Sequence, residues 1–126
     1  MATLLIRGGT VIDGTGKAPL EDHEVLVRDE RIEAVGPSGS LVSDGVEVVD
    51  ATGLTLLPGL INMHVHLGSG GGRSTAQDSE QDIVLLASRN ARNALLTGVT
   101  TIRELGSRGS VSQTLRNAII RGVLVG

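Results

Sequence analysis

The run Leu56-Leu57-Pro58-Gly59-Leu60-Ile61-Asn62-Met63-His64-Val65-His66-Leu67 constrains this chain more than any other stretch. Pro58-Gly59 is a turn signal. The residues after it form a short, nearly continuous apolar run rather than a helical stripe, which predicts a buried strand over residues 60–67. Side chains on a strand alternate faces with a period of two. His64 and His66 are therefore expected on one face, and Met63, Val65 and Leu67 on the other. Two imidazoles about 7 Å apart along a strand can converge so that each puts a nitrogen about 2 Å from a single ion. His-x-His pairs also arise by chance. Here the pair ends a strand and is followed at once by Gly68-Ser69-Gly70-Gly71-Gly72, a loop able to let solvent and ligand approach. His64 and His66 are thus the candidate metal ligands.

Upstream, residues 3–7, 10–13, 24–28, 31–35, 46–50 and 54–57 read as short strands separated by glycine-rich or polar turns. Asp29-Glu30, between Val25-Leu26-Val27 and Ile32-Glu33-Ala34-Val35, is the best hairpin candidate, with Arg28, Arg31 and Glu33 pointing outward. A small antiparallel sheet is expected. Lys17 and His23 fall in polar turns between strands and read as solvated loop positions.

Downstream, residues 68–78 read as a flexible loop or lid, since Gly70-Gly71-Gly72-Arg73-Ser74-Thr75 lacks the Gly-Lys-Ser/Thr of a phosphate-cradling loop. Ser79-Glu80-Gln81-Asp82 is a capping-box signal for a helix. Ile83, Ala87, Ala91, Ala94 and Leu95 lie on one face of that helix, Arg89, Asn90, Arg92 and Asn93 lie largely off it, and Gly98 closes it. Residues 99–103 form the next strand, so residues 60–99 make one βαβ unit. Ser110-Val111-Ser112-Gln113 is read as a second capping box, opening a helix with Val111, Leu115, Ala118 and Ile119 on one face and Gly122 at its end. Val123-Leu124-Val125 is a candidate start of a third strand.

With 126 residues there is room for one small domain or two incomplete ones. Eleven basic and fourteen acidic residues give a net charge of −3, and no basic run occurs, which argues against a nucleic-acid partner. No apolar stretch is long enough to span a bilayer and no signal peptide is evident, so no membrane partner is expected. Cysteine is absent, which excludes disulfides and thiolate metal sites and suits a cytoplasmic protein. There is no Phe, Tyr or Trp, so any core is built from Leu, Ile, Val, Ala and Met around 18 glycines. Such a core is thin, and a stable monomer of this length would be marginal.

Residues 57–66 resemble the signature of the metal-dependent amidohydrolase superfamily, whose barrel begins with a Pro-Gly-Leu-Ile-Asp-x-His-x-His strand. Leu5-Ile6-Arg7-Gly8-Gly9-Thr10-Val11-Ile12-Asp13-Gly14 and Gly98-Val99-Thr100-Thr101-Ile102-Arg103-Glu104-Leu105-Gly106 agree with it, in the expected order. The details are similar to the imidazolonepropionase-like and peptidase-like branch. Asn62 stands where the family usually has Asp, and Glu104 where this branch usually has Asp. Both changes bear on hydrogen bonding around the site rather than on its ligands.

The resemblance implies an α/β fold: a small N-terminal antiparallel β-sandwich portion (residues 1–57), then the opening βαβα units of an incomplete (β/α)8 TIM barrel (residues 58–126). It implies a divalent metal, zinc above all, and a small amide or cyclic amide as substrate, hydrolysed at its C–N bond by a metal-activated water. In the family the remaining ligands are a lysine, histidines and an aspartate on later barrel strands. The only lysine here is Lys17 and the only other histidine is His23, both upstream of the barrel strand. The chain alone is therefore expected to be inactive as the N-terminal part of such an enzyme. The alternative is a non-catalytic α/β module that persists through self-association. In either case unpaired strand edges favour a homo-oligomer.

Overall fold

The structure, a computed structural model, describes residues 3–41, 44–72 and 77–126. It divides into two compact units, Met1–Pro58 and Gly59–Gly126.

The first unit is a five-stranded sheet of β1 (Thr3–Val11), β2 (Leu20–Arg28), β3 (Arg31–Pro37), β4 (Glu47–Asp50) and β5 (Thr55–Leu56). The order is β3-β2-β1-β4, and β5 also pairs with β1. Asp29-Glu30 is the β2–β3 hairpin turn, with Asp29 at φ +55°, a left-handed conformation that Asp tolerates better than most residues. Across it Arg28 Nε donates to Glu33 at 2.6 Å. Three expectations are corrected. His23 is not in a turn: it lies within β2, paired with Gly9 on β1 and Pro37 on β3. Gly8-Gly9 does not end a strand: β1 runs through it with register shifts on either side of Gly9, as glycine allows at a bulge. The sheet is also mixed rather than antiparallel, because β4 and β5 run parallel to β1.

Leu5, Val25 and Leu26 form part of this unit's core, and the fully buried Glu24 sits among them. Its Oε2 accepts from Arg7 Nε at 2.7 Å, and its Oε1 accepts from the Leu41 amide at 2.6 Å. Burial pushes the carboxyl pKa up. The Arg7 hydrogen bond and the amides of Leu41 and Gly39 outweigh that and bring it down to about 2, from an ordinary 4.5. A carboxyl whose folded pKa is depressed contributes stability that is fully present above about 4.5 and is lost as pH falls through about 2. Replacing Glu24 by Gln is expected to lower stability near neutral pH by roughly 1–3 kcal/mol. In urea titrations at a series of pH values, the gap between wild type and Glu24→Gln should narrow as pH drops below 4.5.

The second unit pairs β6 (Leu60–Val65) in parallel with β7 (Val99–Glu104), joined through α1 (Glu80–Leu96) and followed by α2 (Val111–Ile120). Ser79 caps α1 as expected: its Oγ accepts from the Asp82 amide, while Asp82 accepts from the Ser79 amide at 3.1 Å. The Ser79 hydroxyl and amide hold the Asp82 carboxyl below its ordinary value. Gly98, at φ +89°, ends the helix. Leu67, Ile83, Ala87, Ala91, Val111 and Leu115 form the core, with Val65, Ile102 and Leu124 packed against it. No helix among the described residues is long and apolar enough to cross a membrane.

Four local expectations are corrected here. Ser110 makes no side-chain cap to α2, because its Oγ donates to Glu80 at 3.3 Å instead. Residues 123–125 are not a strand: the amides of Val123 and Leu124 fold back onto the Ala118 carbonyl. The barrel strand ends at Val65, and Leu67–Gly72 forms a 3₁₀ turn rather than an irregular loop; Arg73, Ser74 and Thr75 lie outside the described residues. Finally, β6 is not buried along its length. Leu60, Ile61 and Met63 are more than half exposed, since the core covers only the end carrying Val65 and Leu67.

The 3₁₀ turn depends on a close approach. A Cβ on Gly68 would lie 2.6 Å from Ile83 Cγ2, in the middle of the core. Gly68→Ala should therefore destabilise this unit by about 1–3 kcal/mol. The check is chemical denaturation, with Gly39→Ala, a glycine left-handed at φ +83° but with open space around it, as a strain-only comparison.

Candidate metal centre

β6 and β7 are parallel, so their C-terminal ends and the turns that follow lie side by side. Val65 and Ile102 face the helical core, which leaves His64 on the opposite face of β6. His66 follows one residue beyond the strand, and its ring turns toward His64. The two Nε2 atoms stand 3.2 Å apart, with ring centroids 5.1 Å apart and planes inclined at 76°. Both predicted ligands are thus brought together.

The surrounding bonds orient them. Asn62 Oδ1 accepts from the His64 amide at 3.1 Å. His66 Nδ1 lies 2.9 Å from the Gly106 carbonyl oxygen. A carbonyl can only accept, so Nδ1 carries the hydrogen and Nε2 of the neutral ring is left with its lone pair. Glu104 accepts from the Leu67 amide at 2.8 Å and from the Gly106 amide at 3.0 Å, and its Oε1 is 3.6 Å from His66 Nδ1. Asn90, on α1, donates to the Leu67 carbonyl at 2.7 Å and so anchors the turn after the histidines.

The donor set fits a metal ion. Nitrogens 3.2 Å apart, each about 2.05 Å from one ion, subtend about 100° at it, near the tetrahedral angle of zinc sites. Among the described residues no third His, Cys, Asp or Glu completes a cluster with them. A groove of about 420 Å³ lined by Leu67, Ile102, Val111, Leu115 and Ile119 opens nearby. Most of its lining belongs to the helix-packed face, and neither histidine lines it, but Glu104 does, so the groove reaches the carboxylate beside His66.

Sequence reasoning did not find Gly106 or Asn90. Gly106 acts through a backbone carbonyl, which no side chain announces. Asn90 corrects the reading that set it largely off the apolar face: it stands seven residues after Ile83 and three after Ala87, on their side of α1, where it is half-buried and its amide needs a partner.

The family model described as Amidohydrolase family matches residues 55–126, more than half of the chain. The chain belongs to the amidohydrolase family. It is 39% identical over 99 residues to a dihydroorotase of Streptomyces coelicolor, an alignment covering 79% of this chain and 20% of that protein. It is 33% identical over 99 residues to an adenine deaminase of a Chelativorans species, covering 79% and 14% respectively. Among solved structures, molinate hydrolase superposes with a TM-score of 0.86 at 32% identity, over 99% of this chain and 28% of that one. A Xaa-Pro dipeptidase with bound methionine gives 0.88 at 28% identity, over 99% and 32%. The amidohydrolase chain described here therefore spans about a fifth of the first of these curated relatives. Its fold is the family's: an N-terminal β-rich sheet followed by the βα units that open the barrel.

Proposed function

We propose that this chain is the N-terminal part of a metal-dependent amidohydrolase, with His64 and His66 holding one divalent ion, zinc in the first instance. A β-sandwich portion over residues 1–57 would lead into the barrel at residues 58–126. The observation that carries the reading is the 3.2 Å approach of the two Nε2 atoms at the end of a barrel strand. When bound, such an ion supplies Lewis acidity and an activated water for hydrolysis of a C–N bond in a small amide or cyclic amide. The names of the relatives, dihydroorotase and adenine deaminase, support a small-molecule substrate. This chain's own residues hold the pair in position: Asn62 fixes the His64 backbone, and the Gly106 carbonyl keeps the hydrogen of His66 on Nδ1.

Two protein donors fall short of the three usual in catalytic zinc sites, so the chain alone should bind zinc weakly and hydrolyse nothing. Calorimetric titration of the 126-residue chain with zinc is expected to show one site per chain. His64→Ala and His66→Ala should each weaken it by more than roughly 100-fold, beyond the roughly 10–100-fold loss typical of removing an outer hydrogen-bond partner. Equal binding by the double variant would sink the reading.

A second reading, a self-associating module, draws on the exposure of Ile32, Ile61 and Met63, at 70%, 62% and 57%. Apolar side chains left on open sheets recruit other chains. Light scattering at micromolar concentration is expected to report a homo-oligomer, and a monodisperse monomer would remove this reading.

A further inference from the structure

Glu104 is the last residue of β7, and its side chain is only 15% exposed. Each of its carboxylate oxygens accepts from a different backbone amide: Oε2 from Leu67, in the turn after β6, and Oε1 from Gly106, in the turn after β7. Hydrogen bonds to an ionised carboxylate are among the strong ones. One side chain thus ties the two turns together.

The tie holds the residue whose carbonyl faces His66. With the Gly106 amide held by Oε1, the carbonyl of the same residue stands 2.9 Å from His66 Nδ1 and accepts its hydrogen. Oε1 itself, at 3.6 Å, is too far to take that hydrogen as a normal bond. Its negative charge nevertheless favours the N–H being on the near side of the ring. A free histidine side chain prefers its hydrogen on Nε2; the Gly106 carbonyl reverses the preference and bares Nε2, the atom that faces His64. In the metal-free chain His64 Nε2 is then the donor of the 3.2 Å contact, so the two rings adopt opposite tautomers.

We propose that Glu104 is a positioning residue that acts through the Gly106 carbonyl to lock His66 in the Nδ1–H tautomer, keeping the Nε2 lone pair aimed at the ion site. The inference takes from the proposed function only the identity of Nε2 as the ligand atom. The tautomer itself exists without metal and is measured without it.

The test uses the full chain with ¹⁵N-labelled histidine, stripped of metal by a chelator, at a pH where both rings are neutral. Long-range ¹H–¹⁵N correlation reads each ring nitrogen as protonated or bare. In wild type, His66 is expected with Nδ1 protonated and Nε2 bare, and His64 with Nε2 protonated. A His66 with Nε2 protonated overturns the proposal before any variant is made. In Glu104→Gln, one of the two amides loses its acceptor, and His66 is expected to revert mainly to the Nε2–H form with zinc binding weakened about 10–100-fold. An unchanged His66 tautomer in that variant overturns the proposal. If Glu104→Gln fails to fold, Glu104→Asp, whose side chain is one methylene shorter and is expected to reach only one of the two amides, is read in its place: His66 should shift toward the Nε2–H form, and an unchanged tautomer there overturns the proposal. Absence of zinc binding with the wild-type tautomer intact would count against the metal site alone, so the two readings fail separately.

Discussion

Parallel pairing of β6 with β7 is the constraint on which the candidate site depends. Two parallel strands deliver their carboxyl ends to the same edge, so Val65 and Glu104 stand in register and the turns at 66–69 and 105–107 become neighbours. Antiparallel pairing would have placed the start of one strand beside the end of the other. His66 and Glu104, which share the site, are 38 residues apart along the chain, because a parallel pair needs a long crossover, usually a helix, to carry the chain back to the start of the next strand. Helix α1 provides it, and its Asn90 then reaches back to the carbonyl of Leu67, so the connector also supports the turn it made necessary.

The same device appears in both units. A chain without aromatic residues has little apolar area with which to pin its turns. In the first unit a buried glutamate, Glu24, accepts from the Leu41 amide in the segment after β3 and is neutralised by Arg7. In the second, Glu104 accepts from the Leu67 and Gly106 amides and faces His66 Nδ1 at 3.6 Å. The two carboxylates differ in burial. Glu24 is fully enclosed and pairs with Arg7, as a buried charge requires, whereas Glu104 keeps partial contact with water.

Much of this was legible in the residues because the relevant periodicities are short. A two-residue repeat put His64 and His66 on one face; Ser79 and Asp82 marked a helix start; Gly98 and Gly122 marked helix ends; Asp29-Glu30 marked a hairpin. What could not be read involved partners distant in sequence. Ser110 has the residue type of a cap, but Glu80, thirty residues earlier, takes its hydroxyl. Gly8-Gly9 looks like a break until β2 supplies a strand that pairs on either side of the bulge. The parallel placement of β4 and β5 on β1 depends on how the sheet assembles, and short strands carry no direction in their composition. The Gly106 carbonyl that orients His66 is a backbone atom, identical in every residue type.

The two departures from the family's usual residues become intelligible together. Asn62 uses its side-chain oxygen to accept from the His64 amide, a task for which a neutral amide serves as well as a carboxylate. Glu104 must span two amides belonging to different turns, and the extra methylene of Glu over Asp lengthens its reach. The negative charge that a carboxylate at position 62 would place beside His64 is absent. The charge that remains lies on the Nδ1 side of His66, 3.6 Å from that atom. There it favours the hydrogen on the nitrogen that points away from His64, which leaves the facing nitrogen bare.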